Sequence, residues 1–465
     1  MPYPVCVLLL GLVTVLGMIL VLRVHAFLAL ISAAMLVSLL SPGELPEKIS
    51  RVAEAFGRAA GSIGIVIAMA AVIGKCLIDS GAADRIVRST LRALGEKQAP
   101  TALAASGYVL GIPVFFDTVF YLLIPLARSL WKRTGQNYVL YVLAIALGGV
   151  ITHTMVPPTP GPLFMAAELG VDLGLMMLVG VVIAVPMAIV GLFGARLLNR
   201  LFDIPMRPIG EAPEPEPLDD MQLPPLWLAL LPVVLPVLLI SANTAAQAWV
   251  GAAPVEGAPG AGTNMGRRLA GIAAITGNPN LALLLAAVVA MVMLVRQRRL
   301  TLSELGRRTE NALMSGGVII LITAAGGAFG AMLRETGIET TLRDMFAGGG
   351  QGTGRILLLL GFGVAALLKV AQGSGTVCMM VSASIMGSFG ATPEMLGCHP
   401  VYLATAIGSG SVVGSWMNDS GFWIFARMSG MTEMETLRTW TLELVLLGLT
   451  GLGLTLLLAW LVPLA

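Results

Sequence analysis

Apolar residues in this chain come in runs long enough to span a lipid bilayer, separated by short charged stretches. The runs occupy 4–22, 59–78, 174–195, 226–248, 311–333 and 440–463. About 20 consecutive apolar residues cross the hydrocarbon core, so each run predicts a transmembrane helix. A further run, 25–41, follows the first at once. The first run lacks a basic lead-in and a small-residue cleavage site ahead of Arg23, which predicts a retained span and not a signal peptide. The pattern breaks at 203–225, where seven prolines alternate with Glu211, Glu214, Glu216, Asp219 and Asp220. Such a segment cannot pack and predicts a polar, extended linker between residues 1–202 and residues 226–465.

The two flanking segments repeat one another. At an offset of 256, Gly74, Leu77 and Gly81 fall on Gly330, Leu333 and Gly337, and Asp79-Ser80 falls on Glu335-Thr336. At an offset of 260, six of the 24 positions in 143–166 meet identical residues in 403–426. Two matches in the same order at nearly one offset argue against coincidence among small residues. Basic residues then orient the halves. The stretch 79–98 holds Arg85, Arg88, Arg92 and Lys97, whereas its counterpart 334–354 holds Arg334 and Arg343. The stretch 296–308 holds five arginines, whereas 43–57 holds Lys48 and Arg51. Basic residues collect in short cytoplasmic loops, so matching loops are predicted on opposite faces of the membrane. The expected fold is therefore all-α and integral to the membrane, with two inverted-topology repeats and a cytoplasmic linker. Each repeat contains one hairpin that enters and leaves from the same side (99–127 and 355–386) and one broken span (138–166 and 401–426).

Composition narrows the class. Of the 465 residues, 57% are hydrophobic and 12% charged, against about 25% charge in soluble domains. The net charge of +2, with no basic stretch interleaved with aromatics, gives nucleic acid no footprint. Cys6, Cys76, Cys378 and Cys398 show no CxxC spacing and read as buried thiols.

In transporters built from inverted repeats, the substrate site forms at interrupted helices near the midplane. The first matched pair of interruptions is Gly111-Ile112-Pro113-Val114-Phe115-Phe116-Asp117-Thr118 and Lys369-Val370-Ala371-Gln372-Gly373-Ser374-Gly375-Thr376. The second is Thr152-His153 through Thr159-Pro160-Gly161-Pro162, against Gly408-Ser409-Gly410-Ser411 followed by Asn418-Asp419-Ser420-Gly421. Helix N-termini at such breaks offer free N–H groups and a positive dipole end, which suit a carboxylate. The candidate substrate residues are Phe116, Thr118, Thr152, His153, Thr159, Gly161, Gln372, Ser374, Gly375, Thr376, Ser409, Ser411, Asn418 and Ser420. Asp117, Asp419, His153 and Lys369 are the candidates for ion coupling, since charge at membrane depth is costly and usually functional. Structural roles compete: Gly408 and Gly410 can serve helix packing, two of the charged residues can form an ion pair, and His153 can bond a neighbouring helix.

These motifs resemble the gluconate:proton symporter (GntP) family of the ion transporter superfamily. The likeness rests on Val114-Phe115-Phe116-Asp117 with Leu122 to Pro125, on Thr152-His153 through Pro162, and on Gly408-Ser409-Gly410-Ser411-Val412 with Asn418-Asp419-x-Gly421-Phe422-Trp423. It implies proton-coupled uptake of gluconate or a similar hydroxy acid by a multi-pass protein of a bacterial inner membrane. It also implies an elevator-like scaffold with a moving transport domain, in a homodimer. The chain departs from better-known members at Asp117-Thr118-Val119, Thr159 and Ser420. The rival reading is a cation/proton antiporter of the same superfamily, with sodium in place of the proton. No G-x-S-x-G surrounds Ser374, Ser409 or Ser411 and no H-E-x-x-H occurs, so the sequence predicts neither an enzyme nor a metal or cofactor site.

Overall fold

The computed structural model describes residues 2–207, 223–251, 264–338, 341 and 353–464, and all of its regular structure is helical. Residues 208–222 of the expected linker lie outside the described residues. The first part of the chain forms α1 (Tyr3–Leu16), α2 (Ala26–Leu40), α3 (Leu45–Asp79), α4 (Ala82–Leu94), α5 (Ala99–Gly111), α6 (Phe116–Thr134), α7 (Tyr138–Met155), α8 (Pro160–Glu168) and α9 (Leu173–Leu201). After the linker come α10 (Leu226–Gly251), α11 (Asn264–Thr276), α12 (Pro279–Arg298), α13 (Leu302–Glu335), α14 (Thr353–Gln372), α15 (Gly375–Ser388), α16 (Pro393–Leu396), α17 (Val401–Gly410) and α18 (Ser420–Ser429). The last, α19 (Glu433–Leu461), runs through one π-helical turn at Leu437–Thr441. Eight helices among the described residues are long and apolar enough to cross a membrane.

The two longest helices extend beyond the apolar runs that predicted them. The 35-residue α3 begins at Leu45, because 45–58 is rich in good helix formers and its one proline, Pro46, lies in the first turn. The 34-residue α13 begins at Leu302, where Thr301 and Glu304 form a capping box. They pack side by side and antiparallel. Arg51 meets Glu335 at 3.8 Å, the Gly64 backbone faces Ile320, and Asp79 meets Arg308 at 2.7 Å. Two ion pairs thus close the opposite ends of one helix pair.

Behind this pair, α7 forms the centre of a second group with α5, α6 and α9. Seventeen of its 18 residues are buried, His153 being the exception. Close approach is built in at Gly148, where a Cβ would collide with the Ala104 carbonyl of α5. The outer face of α9 carries an apolar stripe of Leu178, Val182, Val185, Ile189, Phe193, Leu197 and Leu201. That spacing of three to four residues marks one exposed helical face, suited to lipid. All four cysteines are free, but Cys6 points outward from α1 and is not a buried thiol, because α1 packs mainly on α2 along its other face.

Candidate functional site

The four interruptions named by the sequence become four helix N-termini. Pro113 and the extended Phe115 end α5 and start α6. At Pro157–Pro162 the prolines remove donors from the helical ladder, so α7 stops at Met155 and α8 starts at Pro160. Gly373, with φ +84°, turns the chain between α14 and α15 in a conformation that L side chains rarely adopt. Gly414, at φ +79°, lies in the segment between α17 and α18. Ser374 caps α15 through Val377 N, and Asp419 caps α18 through Gly421 N at 2.9 Å.

These N-termini open onto one cavity of about 410 Å³. Phe116, Asp117 and Thr118 line it from α6, and His153 from α7. Ser374, Gly375 and Thr376 contribute from α15, with Lys369 from α14. Ser411, Asp419 and Ser420 join them in the polar wall, and Thr154 of α7, which the sequence reading did not single out, also lines the cavity. Eleven predicted residues are therefore brought together. The remaining six candidates lie apart from this wall. Thr152 and Ser409 are buried, and donate to the Gly148 and Thr405 carbonyls of their own helices. Thr159 donates to Val156, Gly161 packs on Met379, and Asn418 donates to the Val370 carbonyl at 2.7 Å. Gln372 also stays outside the cavity lining, with a buried Nε2 that has no partner among the described residues.

Charge in the cavity is arranged asymmetrically. Lys369 Nζ donates to Asp419 Oδ2 at 2.6 Å and also to the Gly373 carbonyl. Asp419 receives Ser415 Oγ at 2.5 Å, and Trp440 Nε1 donates to Ser415 Oγ at 2.9 Å. Asp117 forms no ion pair among the described residues and is exposed to the cavity. His153 Nε2 lies 3.3 Å from Thr376 Oγ1, joining a residue of α7 to one of α15. An aromatic floor of Phe116, Phe120, Phe425 and Trp440 supports the tips, with ring centroids 4.9–5.7 Å apart.

The sequence matches the GntP family permease over residues 3–462. The chain belongs to the GntP permease family. It is 32% identical to a gluconate permease of Pseudomonas aeruginosa, over 97% of this chain and 96% of that protein. It is 29% identical to the Gnt-II system L-idonate transporter of Escherichia coli, over 92% of this chain and 93% of that protein. Its fold is similar to the crystal structure of the Alcanivorax borkumensis YdaH transporter, at a TM-score of 0.59 and 16% identity, over 95% of this chain and 98% of that one. This GntP permease is a transporter and not an enzyme, and it is a multi-pass protein of a bacterial inner membrane.

In the permease, further wall residues come from helices without a break. Ser315, Ile319 and Ile322 of α13, and Trp440 and Leu444 of α19, complete the cavity. Their spacing of three to four residues marks one helical face each. That spacing is the only trace they leave in the sequence, and it does not distinguish a cavity from a packed neighbour.

Proposed function

We propose that this permease carries gluconate or a related small hydroxy-carboxylate into the cell together with a proton. The observation that carries the reading is a cavity of about 410 Å³ ringed by four helix N-termini, with a paired Lys369–Asp419 and an unpaired Asp117. The volume falls in the roughly 300–1,000 Å³ range of small-molecule sites. First-turn N–H groups without intrahelical acceptors attract a carboxylate. Hydroxyls of Thr118, Ser374, Thr376 and Ser420 match a polyhydroxy chain. The relatives named for gluconate and L-idonate support the same substrate class.

Proton coupling follows from charge. With both acids ionised, Asp117, Asp419 and Lys369 leave the wall one negative charge in excess. At roughly 6 Å and an effective dielectric constant near 20, a substrate carboxylate would be repelled by an ionised Asp117 by about 3 kcal/mol. A proton on Asp117 removes that repulsion, so substrate and proton bind together.

Support for two inverted repeats, divided at 203–225, comes from the antiparallel α3 and α13. Arg51 and Asp79 of the first helix correspond, at offsets of 257 and 256, to Arg308 and Glu335 of the second. The two ion pairs are thus one contact made twice, once from each half. Two matched sets of broken helices around one cavity suit a transport domain that moves against a scaffold, and this reading includes a homodimer.

The test is uptake of labelled gluconate by proteoliposomes under an imposed pH gradient. Accumulation should follow the gradient, and Asp117→Asn should abolish it while leaving substrate exchange measurable. Gradient-driven accumulation by Asp117→Asn at the unaltered level would remove Asp117 as the proton carrier. Sodium-driven proton flux without substrate would indicate a cation/proton antiporter instead.

A further inference from the structure

A second chamber, of about 500 Å³, lies between α3, α8 and α13. Its polar lining is Arg58, Ser62, Glu168, Arg334 and Glu335. Three of these charges are already matched. Arg334 bonds Glu168 at 2.5 Å, and Glu335 faces Arg51 at 3.8 Å. Arg58 makes no ion pair among the described residues and is exposed.

Arg58 sits at membrane depth. The contacts Arg51–Glu335, Ala59–Gly327 and Gly64–Ile320 fix the antiparallel register and put Arg58 level with Ala328. Ala328 lies within the apolar stretch 311–333, six residues or about 9 Å inward from Arg334 at 1.5 Å per residue. A guanidinium at such depth is costly unless it faces water or a ligand, and this one faces the chamber.

The repeat gives its location a meaning. At an offset of 257, Arg58 and Ser62 of α3 correspond to Ser315 and Ile319 of α13. Those two α13 residues line the substrate cavity. Each long helix therefore presents the same two positions to a cavity, on opposite sides of the helix pair's midpoint. We propose that Arg58 binds the substrate carboxylate in the opposite-facing state, when the helix tips meet α3 at Arg58 and Ser62 instead of α13 at Ser315 and Ile319. The proposal rests on the inverted-repeat, hydroxy-carboxylate reading above and adds the residue that gives the two faces different affinities. Arg58 lies toward the Leu45 end of α3, the end that the basic-residue bias assigns to the outside. It therefore acts on substrate arriving from outside.

Gluconate transport is measured in both directions, in right-side-out and inside-out vesicles. Arg58→Gln should raise the external KM about tenfold or more, the loss expected for a hydrogen bond to a charged group, and leave the internal KM unchanged. Arg58→Lys should fall between, because it keeps the charge and loses the planar fork. An unchanged external KM, or an equal rise on both sides, would overturn the proposal. Ser62→Cys in a background without other cysteines gives a readout independent of how the Arg58 variants fold. An impermeant maleimide should label it from outside, gluconate should slow the labelling, and labelling unaffected by gluconate would also overturn it. Absence of any gluconate uptake by the unaltered chain would instead defeat the substrate reading beneath it.

Discussion

At the scale of single residues, the buried Lys369–Asp419 pair decides how the site holds together. Their side chains are 6% and 9% exposed, so each charge depends on the other for compensation. Removing one partner of a buried pair typically costs about 3–5 kcal/mol, whereas removing both can be nearly neutral. Lys369→Met should therefore destabilise the protein strongly. Lys369→Met combined with Asp419→Asn should recover much of the loss, since an Asn side chain can still cap α18 at Gly421. Thermal unfolding of the purified variants in one detergent measures this; additive losses would mean that the two side chains act independently. The hydroxyls show why residue type alone overstates a site. Thr152 and Ser409 lie in the stretches the sequence singles out, but each satisfies a carbonyl one turn back in its own helix. A hydroxyl with that local option carries no sequence mark of whether it also faces a cavity.

At the scale of helices, legibility follows from where the backbone is interrupted. Pro113, the run Pro157–Pro162 and Gly373 break apolar runs, and each break became a helix end beside the cavity. His153 was legible for the same reason: it is a polar residue in an apolar stretch, and the one residue of α7 that is not buried. Ser315 and Trp440 were not legible, because they lie in continuous helices whose cavity face is chosen by tertiary packing. The full reach of α3 was missed too, since its first turns are charged and carry no apolar signal. Close packing behind the tips makes a separate prediction. Gly148 of α7 lies against the backbone of α5, so an added side chain meets the Ala104 carbonyl and not a flexible group. Gly148→Val should push α5 off α7 and displace the α6 tip with it. Overpacking of this kind costs about 1–3 kcal/mol or more. Unfolding temperature and gluconate affinity should fall together; a normal value of both would mean that the helices can separate without disturbing the site.

At the scale of the whole molecule, the antiparallel pair α3 and α13 defines the membrane axis. A 35-residue helix is about 52 Å long, against roughly 30 Å of hydrocarbon, so both ends of α3 must reach water. The same holds for α13, whose 34 residues run the opposite way. The ion pairs Arg51–Glu335 and Arg308–Asp79 then mark the two interfaces. Which interface is cytoplasmic follows from the wider charge count. Arg296, Arg298, Arg299, Arg307 and Arg308 cluster around the junction of α12 and α13, and Arg85, Arg88 and Arg92 follow the end of α3. Both clusters fall at the Arg308–Asp79 end, which the bias of basic loops assigns to the cytoplasm. Single cysteines test this in a background where Cys6, Cys76, Cys378 and Cys398 are replaced. Glu47→Cys, in the first turn of α3, should react with an impermeant maleimide added to intact cells. Ser303→Cys, in the first turn of α13, should react only after the membrane is opened. The two positions lie at opposite ends of one rigid helix pair, so they must report opposite sides whatever the orientation. The reverse pattern would invert the topology and with it the side on which Arg58 meets substrate. Labelling of both from one side would break the spanning assignment of α3 and α13, and the repeat relation built on their pairing would fall with it.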